Sequence, residues 1–459
     1  MIGPQQYSHK QNGSVRISHL DFTLEEIQTT LSNATNALRN LPDEVRLVRL
    51  EALVAASESL NRASGLDDIL HVILDLVSEQ LDCERATVFL RDKRTDKLHA
   101  RQTIGSDRIE IILERGVGIA GFVAESGTSV RIDDVKTDLR FDSTTDMRTG
   151  FVTKSMLCVP LMKPEGTLVG SLQALNARKG QFTDEDLAYL ESFAALAAVA
   201  VDREQLAQEA MRVQVWSTEL RLARQIQERL LPRSGTIGLP EPLTAWGTSQ
   251  PCFDVGGDSY DAVILPSGDC AFWVADVSGK GIGAALLMST LQTELRALVR
   301  AESDLARLAT DLNKKVTNIA PIGTFATLFL GVLHVDTGRL RYVNAGHVPP
   351  VWLNRQVAHE RAFEACGMPV GFLPTSEYVE ASTEFAKGER LAVFSDGVTE
   401  AVNNFDVQYD EAGLAASFAR LKSTTSVEEI GKEFFLDLDR FRIGVPARDD
   451  TTFLVVGLG

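Results

Sequence analysis

Apolar positions along this chain change rhythm several times, and the changes mark out its regions. The polar start is expected to be poorly ordered. Residues 22–38 then carry helical spacing, with Asp21 or Thr23 as caps and Glu25 and Glu26 in the first turn. Pro42 ends that pattern. A second helix is predicted over 43–63 with Val45, Val48, Leu50, Leu53 and Val54, and a third over 66–81. Strand-like runs follow at 86–91, 98–104, 129–132, 156–161 and 168–174, with the glycine-rich segment 116–123 between them. An amphipathic helix over 184–201 closes this stretch.

A long helical pattern then runs over 186–231 and stops at Pro232. Leu206, Val213 and Leu220 are seven apart, and Trp216, Ala223 and Leu230 form a second seven-spaced row. Together they make an a/d seam, which predicts either a two-stranded coiled coil or a helix packed on its own domain. Charges at Glu204, Arg212, Glu219, Arg221 and Arg224 suit the exposed coil. Beyond it, strands are predicted at 271–275, 326–334, 340–343, 391–394 and 453–456, and helices at 284–300, 303–320 and 426–441. Strands and helices alternate there without a βαβ rhythm, which favours an antiparallel sandwich flanked by helices.

Composition narrows the classes. The 459 residues suffice for several domains, and 44% hydrophobic with 24% charged residues is ordinary globular usage. A net charge of −17 argues against nucleic acid and an anionic membrane surface. The longest nearly apolar stretch, 193–201, is too short to span a bilayer, and the first residues lack the order of a signal peptide. Five scattered cysteines without CxxC spacing fit a reducing compartment, so a cytoplasmic location is expected. None has an arginine six positions on, which removes the loop of a cysteine-dependent phosphatase.

Candidate chemistry lies in short acidic motifs of the second half. Asp254–Asp261 reads Asp-Val-Gly-Gly-Asp-Ser-Tyr-Asp, and Val274–Gly281 reads Val-Ala-Asp-Val-Ser-Gly-Lys-Gly. Tyr342–Pro350 contains Asn-Ala-Gly-His, Phe394–Ala401 reads Phe-Ser-Asp-Gly-Val-Thr-Glu-Ala, and Arg448–Thr452 reads Arg-Asp-Asp-Thr-Thr. Asp276, Asp396 and Asp449 each stand at the edge of an apolar run, where strand ends can hold carboxylates around hard metal ions. The Val277 carbonyl can add an oxygen ligand. Lys280 can meet phosphate or solvent, and His347 can act as an acid or shape a loop. Asp450 is an alternative ligand to Asp449.

In this order the motifs resemble the metal-dependent protein phosphatase (PPM) family, in its bacterial SpoIIE/RsbU-type branch, over about 226–459. The resemblance implies that Asp276 bridges two divalent ions, Mn²⁺ or Mg²⁺, that Asp396 and Asp449 are terminal ligands, and that Asp258 is the first acidic position. Ser259 and Gly283 depart from the branch, which usually has an aromatic and a proline there. Residues 66–201 resemble a GAF domain through Gly-Ile-Ala-Gly, Asp138–Phe141, and Asn176 with Phe182–Asp186. Asn176, Phe182 and Asp186 fit the pattern of cyclic-nucleotide-binding GAF domains, whereas Ala177 and Leu187 do not.

The expected architecture is an α+β multidomain chain. It has a helical segment (1–60), a GAF α/β sensor domain (61–200), a coiled-coil linker (201–232) and a PPM-type sandwich (233–459). The resemblance implies a dimeric signalling phosphatase acting on phosphoserine or phosphothreonine of a protein such as a STAS-type anti-sigma-factor antagonist. The alternatives are a GAF receptor whose phosphatase-like domain only docks partners, and a hydrolase of small phosphate esters.

Overall fold

The computed structural model describes residues 37–103, 111–353, 363–421 and 426–459. The helix expected over 22–38 lies almost wholly outside them; its last residues join a 3₁₀ turn, Ala37–Asn40. The chain divides into two compact units between Val213 and Gln214.

The first unit is built on one six-stranded antiparallel sheet. Its order is Ile112–Leu113, Leu98–Thr103, Cys83–Arg91, Leu168–Ala177, Met156–Met162 and Val130–Ile132. One face carries Ala86, Val88, Leu90, Leu172 and Ala174 against the helices Asp43–Arg62, Leu66–Leu81 and the start of Asp184–Leu230. The other face carries Phe89, Met156, Cys158 and Leu175 beneath the helix Gly118–Ser126. Both faces are therefore covered, and each of the larger buried side chains, such as Val88, Leu90, Leu172 and Phe89, contributes roughly 1.5–3 kcal/mol. The glycine-rich segment expected between strands is itself that helix.

The second unit is a sandwich of two five-stranded antiparallel sheets. The first runs in the order Ala381–Glu384, Arg339–Ala345, Ala326–His334, Cys270–Val277, Asp258–Ile264; the second Val351–Trp352, Arg390–Phe394, Thr451–Leu458, Leu243–Gln250, Gly235–Ile237. Alternation along the strands decides which layer each side chain enters. Tyr260, Ala262, Phe272 and Val274 of the first sheet meet Leu391, Val393, Leu454 and Val456 of the second in the central core. Ala271, Trp273 and Ala275 point outward to the helices Ile282–Ala301 and Leu305–Ile319. Phe394, Phe453 and Val455 point to Asp410–Leu421 and Val427–Arg442.

The helix Asp184–Leu230 is continuous over 47 residues, with no break where the GAF segment was expected to end. Leu206, Val213 and Trp216 are 49%, 64% and 54% exposed, while Gln227 near its end is buried. No helix among the described residues is long and apolar enough to cross a membrane.

Candidate metal centre

The segment Asp254–Asp261 is a solvated loop only at its start, where Asp254 is exposed. It enters the edge strand Asp258–Ile264, and Asp258 is only 3% exposed. In the ladder with Cys270–Val277, Asp258 is the register partner of Asp276. Partners in adjacent strands project to the same face. Here that face is the sandwich interior, because Asp276 continues the row of Phe272 and Val274. Two carboxylates thus stand side by side at the rim of an apolar core. Gly257 precedes them because a Cβ there would lie 2.9 Å from the Val277 carbonyl oxygen.

The second sheet brings the other acids. Asp396 opens the short helix Asp396–Thr399 just past the strand Arg390–Phe394, and Asp449 and Asp450 precede the neighbouring strand Thr451–Leu458. A Cβ on Gly397 would meet the Asp450 carbonyl at 2.0 Å, so glycine permits this close approach. Asp449 accepts an ion pair from Lys280 Nζ at 2.9 Å, and Lys280 also donates to the Arg448 carbonyl. A cavity of about 140 Å³ beside Asp449 is lined by Lys280, Gly397, Glu400 and Arg448.

Asp450 separates from Asp449 by its partners. Its two oxygens accept the backbone N–H of Cys252 at 2.7 Å and of Gly257 at 2.6 Å. The carboxylate clamps the loop that leads to Asp258. Among the described residues Asp449 Oδ1 accepts the N–H of Asp450, at 2.8 Å, and its other oxygen faces Lys280. Ligand atoms of Cys252, Asp449 and Asp450 lie within 4.8 Å of one another. Burial and the Asp450 charge push the Cys252 thiol up to about 11.

Electrostatics make the acid set costly by itself. Burial, then the Asp276 charge, raises Asp258 well above the carboxylate range; burial, then Asp396, pushes Asp276 up to about 7. Asp396 is raised by burial and by Glu400 and Asp449. Ser395 and Thr452 ease the Asp258 charge, yet neither Asp258 oxygen reaches hydrogen-bond geometry with a partner among the described residues. A buried, unpartnered carboxylate beside like charges fits a hard divalent cation, whose preferred ligands are oxygens. Asp258, Asp276, Asp396, Asp449 and the Val277 carbonyl are the residues suited to that role.

His347 belongs to the scaffold. Its backbone N–H donates to Asn344 Oδ1 at 2.8 Å, its carbonyl accepts from Asn344 Nδ2 at 3.0 Å, and Nδ1 lies 2.7 Å from Thr327 Oγ1. Burial lowers its pKa to about 4, so it is neutral at ordinary pH. Gly283 has open space where a larger residue would put its Cβ.

Sequence reasoning did not single out Gln227. From the long helix its Nε2 donates to the carbonyls of Gly256, at 2.9 Å, and Ala285, at 3.2 Å, while its Oε1 accepts the Gly256 N–H at 3.1 Å. It ties the helix to the turn before Asp258. The signal was present: Gln227 continues the row Leu206, Val213, Leu220 as a polar intruder.

In the first unit, the three residues of the cyclic-nucleotide pattern serve the fold. Asn176 accepts from Lys154 N and donates to Glu84 and the Val152 carbonyl. Phe182 is core, and Asp186 caps its helix through Thr183 and pairs with Arg49.

Comparison with known proteins follows these two units. Residues 266–458 match the family described as Stage II sporulation protein E (SpoIIE), and residues 65–201 match the GAF domain. Protein IcfG of Synechocystis is 33% identical over 213 residues, 40% of this chain and 33% of that protein. Phosphoserine phosphatase RsbU of Bacillus subtilis is 29% identical over 184 residues, 40% of this chain and 54% of that protein. The chain thus spans about a third to about half the length of these two relatives. The solved SiaA-PP2C domain of Pseudomonas aeruginosa overlays with a TM-score of 0.47 at 17% identity, covering 55% of this chain and all of that one.

Proposed function

We propose that this chain, which pairs a GAF domain with a SpoIIE-type phosphatase domain, is a metal-dependent phosphatase that removes phosphate from serine or threonine of a folded protein. One observation carries the reading: Asp258 is buried, without a hydrogen-bond partner at either oxygen among the described residues, and in register with Asp276, at the rim where Asp396 and Asp449 arrive from the second sheet. The RsbU relative is named a phosphoserine phosphatase, which supports phosphoserine, and a STAS-type anti-sigma-factor antagonist is the partner class we favour.

Asp258, Asp276, Asp396 and Asp449, with the Val277 carbonyl, would hold two divalent ions, Mn²⁺ or Mg²⁺. When bound, these supply a water nucleophile near neutral pH and neutralise phosphoryl oxygens. The chain's own groups do the rest. Asp450 fixes the loop that carries Asp258 into place. Lys280, held by Asp449, and Arg448, held by Asp406, are the cations beside the cavity next to Asp449 that a phosphoryl group would meet, across from Glu400. Neutral His347 keeps the turn after Arg339–Ala345 in shape and takes no proton.

Regulation would pass along the helix Asp184–Leu230. Its bare seam of Leu206, Val213 and Trp216 supports a homodimer in which two such helices pack. Gln227 would then relay a change in helix crossing to the Asp258 loop, making the GAF domain a sensor in a cytoplasmic signalling enzyme.

The test is hydrolysis by the full chain of an aryl phosphate, a phosphoserine protein and a nucleotide, with Mn²⁺ and with chelator. Mn²⁺-dependent turnover, with kcat/KM highest on the phosphoprotein, is expected. Turnover unaffected by chelator would defeat the metal reading, and equal kcat/KM on the nucleotide would favour a hydrolase of small esters.

A further inference from the structure

We infer that two exposed phenylalanines, Phe253 and Phe405, are docking points for apolar side chains of a protein substrate, each side chain lying within about three residues of the phosphoserine. The inference rests on the phosphatase reading proposed above and adds to it the kind of surface the substrate presents.

Both rings stand apart from the aromatic core. Phe394, Phe418, Phe434 and Phe453 of the same unit are buried, whereas Phe253 is 58% and Phe405 79% exposed. Phe372 is exposed too, but it lies against the Phe325 ring at 5.5 Å. Large apolar residues gathered at one rim, unlike those scattered singly, mark an interaction surface, and aromatic side chains dominate the energetics of such surfaces.

Both are tied to the Asp449–Asp450 pair. Asp450 accepts the N–H of Cys252 at 2.7 Å and of Gly257 at 2.6 Å, so the bend that carries Phe253 is held at both ends. Cys252 Sγ lies within 4.8 Å of carboxylate oxygens of Asp449 and Asp450, and Phe253 is the next residue. Phe405 stands on a hairpin closed by an antiparallel bridge between Val402 and Gln408, and both of these line the cavity beside Asp449. Asn403 Oδ1 accepts the N–H of Phe405 at 2.9 Å and of Val407 at 3.1 Å. Asp406 pairs with Arg448, the neighbour of Asp449, at 2.8 Å. Exposed Val407 widens the apolar tip. The hairpin is therefore set before a partner arrives, which lowers the ordering cost of binding.

Reach fixes the spacing. Phe405 is three residues from Val402 and three from Gln408, so its Cα lies within roughly 11 Å of theirs. An extended chain covers about 3.3–3.6 Å per residue, so a phosphoserine at the cavity brings positions up to about three residues away to the Phe405 ring. Phe253, one residue from Cys252, serves positions at least as near. The occupant is a phosphoprotein rather than a second copy of this chain, because a copy seated across both rings would stand over the acids that a phosphoryl group must reach.

The test uses the full chain and nine-residue peptides with a central phosphoserine and alanine elsewhere. Each position within three residues of the phosphoserine is changed in turn to leucine or to glutamate. With Mn²⁺, leucine at two positions should raise kcat/KM about tenfold over the all-alanine peptide, the scale of burying part of one leucine side chain, and glutamate should not. One preference should fall to within about threefold in Phe405→Ser and the other in Phe253→Ser; each ratio is taken within one variant, so a general change in turnover cancels. Fluorescence anisotropy of the labelled peptides in chelator gives the same ratios as binding. Hydrolysis of p-nitrophenyl phosphate with Mn²⁺ checks the catalytic reading separately: without it that reading falls, and the anisotropy ratios still decide the docking points. Fewer than two leucine-preferring positions, preferences that survive both substitutions, or altered sedimentation of the variants, which would set the rings against a second copy, would each overturn the inference.

Discussion

Two aspartates on one strand, Asp258 and Asp261, are equally buried and have opposite meanings. Asp261 points to the helix layer. There Arg296 pairs with it at 2.5 Å, Gln292 Nε2 donates at 2.9 Å, and the Ala262 N–H donates at 2.9 Å. Gln292 in turn accepts the Trp273 indole N–H at 2.9 Å. Asp258 points to the sandwich interior, beside Asp276, with no hydrogen-bond partner at either oxygen among the described residues. Burial of a charge therefore marks function only where the surroundings leave it unanswered. Three residues of separation on a pleated strand put the two acids on opposite faces, and the face decides.

The largest expected effect tests that contrast directly. Asp258→Ala or Asp276→Ala should lose at least ~10²-fold in Mn²⁺-dependent turnover, because each removes a proposed ligand from the centre proposed to supply the nucleophile. In chelator the same variants should unfold at an equal or higher temperature, since a partnerless buried acid has gone. Asp261→Ala should do the reverse. Breaking its pair with Arg296, itself one-third exposed, should cost about 3 kcal/mol, the lower end for a buried pair, and turnover per folded molecule should change little. Denaturant unfolding and initial rates on both variants separate the roles; loss of stability from Asp258→Ala would erase the contrast.

A pH series sharpens it further. Asp258, Asp276 and Asp396 all have folded pKa values raised above their unfolded ones, Asp276 to about 7. The folded state then binds more protons than the unfolded state through that window. Stability without divalent ions is present in full below the unfolded carboxylate range and is lost as pH rises through the folded values. Unfolding midpoints in chelator should therefore fall between about pH 5 and about pH 8, by an amount that Asp276→Asn reduces. Added Mn²⁺ should stabilise more at the higher pH, because a cation binds the ionised acids. A midpoint in chelator that rises with pH over this range would contradict the raised carboxylates.

Much of this was legible in the sequence, and the gaps have physical causes. Apolar runs such as 326–334 announce a strand buried on both faces, and Leu66–Leu81 repeats its apolar positions at helical spacing. The strand Asp258–Ile264 was missed because its polar residues read as a loop. Its two aspartates are buried by different layers, which only the sheet pairing reveals. The acidic motifs pointed to metal chemistry, but not to the division of labour between Asp449 and Asp450. Adjacent carboxylates look alike until backbone donors choose one, and Cys252 and Gly257, nearly two hundred residues earlier, chose Asp450. In the GAF domain the pattern of Asn176, Phe182 and Asp186 is accounted for by side-chain hydrogen bonds, core and cap.

The smallest effect concerns the two buried glutamines that stand behind the two aspartates. Gln227 holds the Gly256 turn ahead of Asp258, and Gln292 holds Asp261 itself. Gln227→Leu leaves the Gly256 N–H and two carbonyls without the amide that joined them, a local cost of about 1–3 kcal/mol. Because the turn delivers Asp258, part of that cost should appear as a higher Mn²⁺ requirement and about tenfold lower turnover at limiting Mn²⁺, recovered in part as Mn²⁺ is raised. Gln292→Leu removes a donor from Asp261 and the acceptor of the Trp273 indole, so its cost should appear as lost stability with the Mn²⁺ requirement unchanged. Mn²⁺ titrations of activity and unfolding curves in chelator, run on both variants, give the comparison. If Gln227→Leu lowered stability alone, the long helix would be only a support, and the proposed route from the GAF domain to Asp258 would fail.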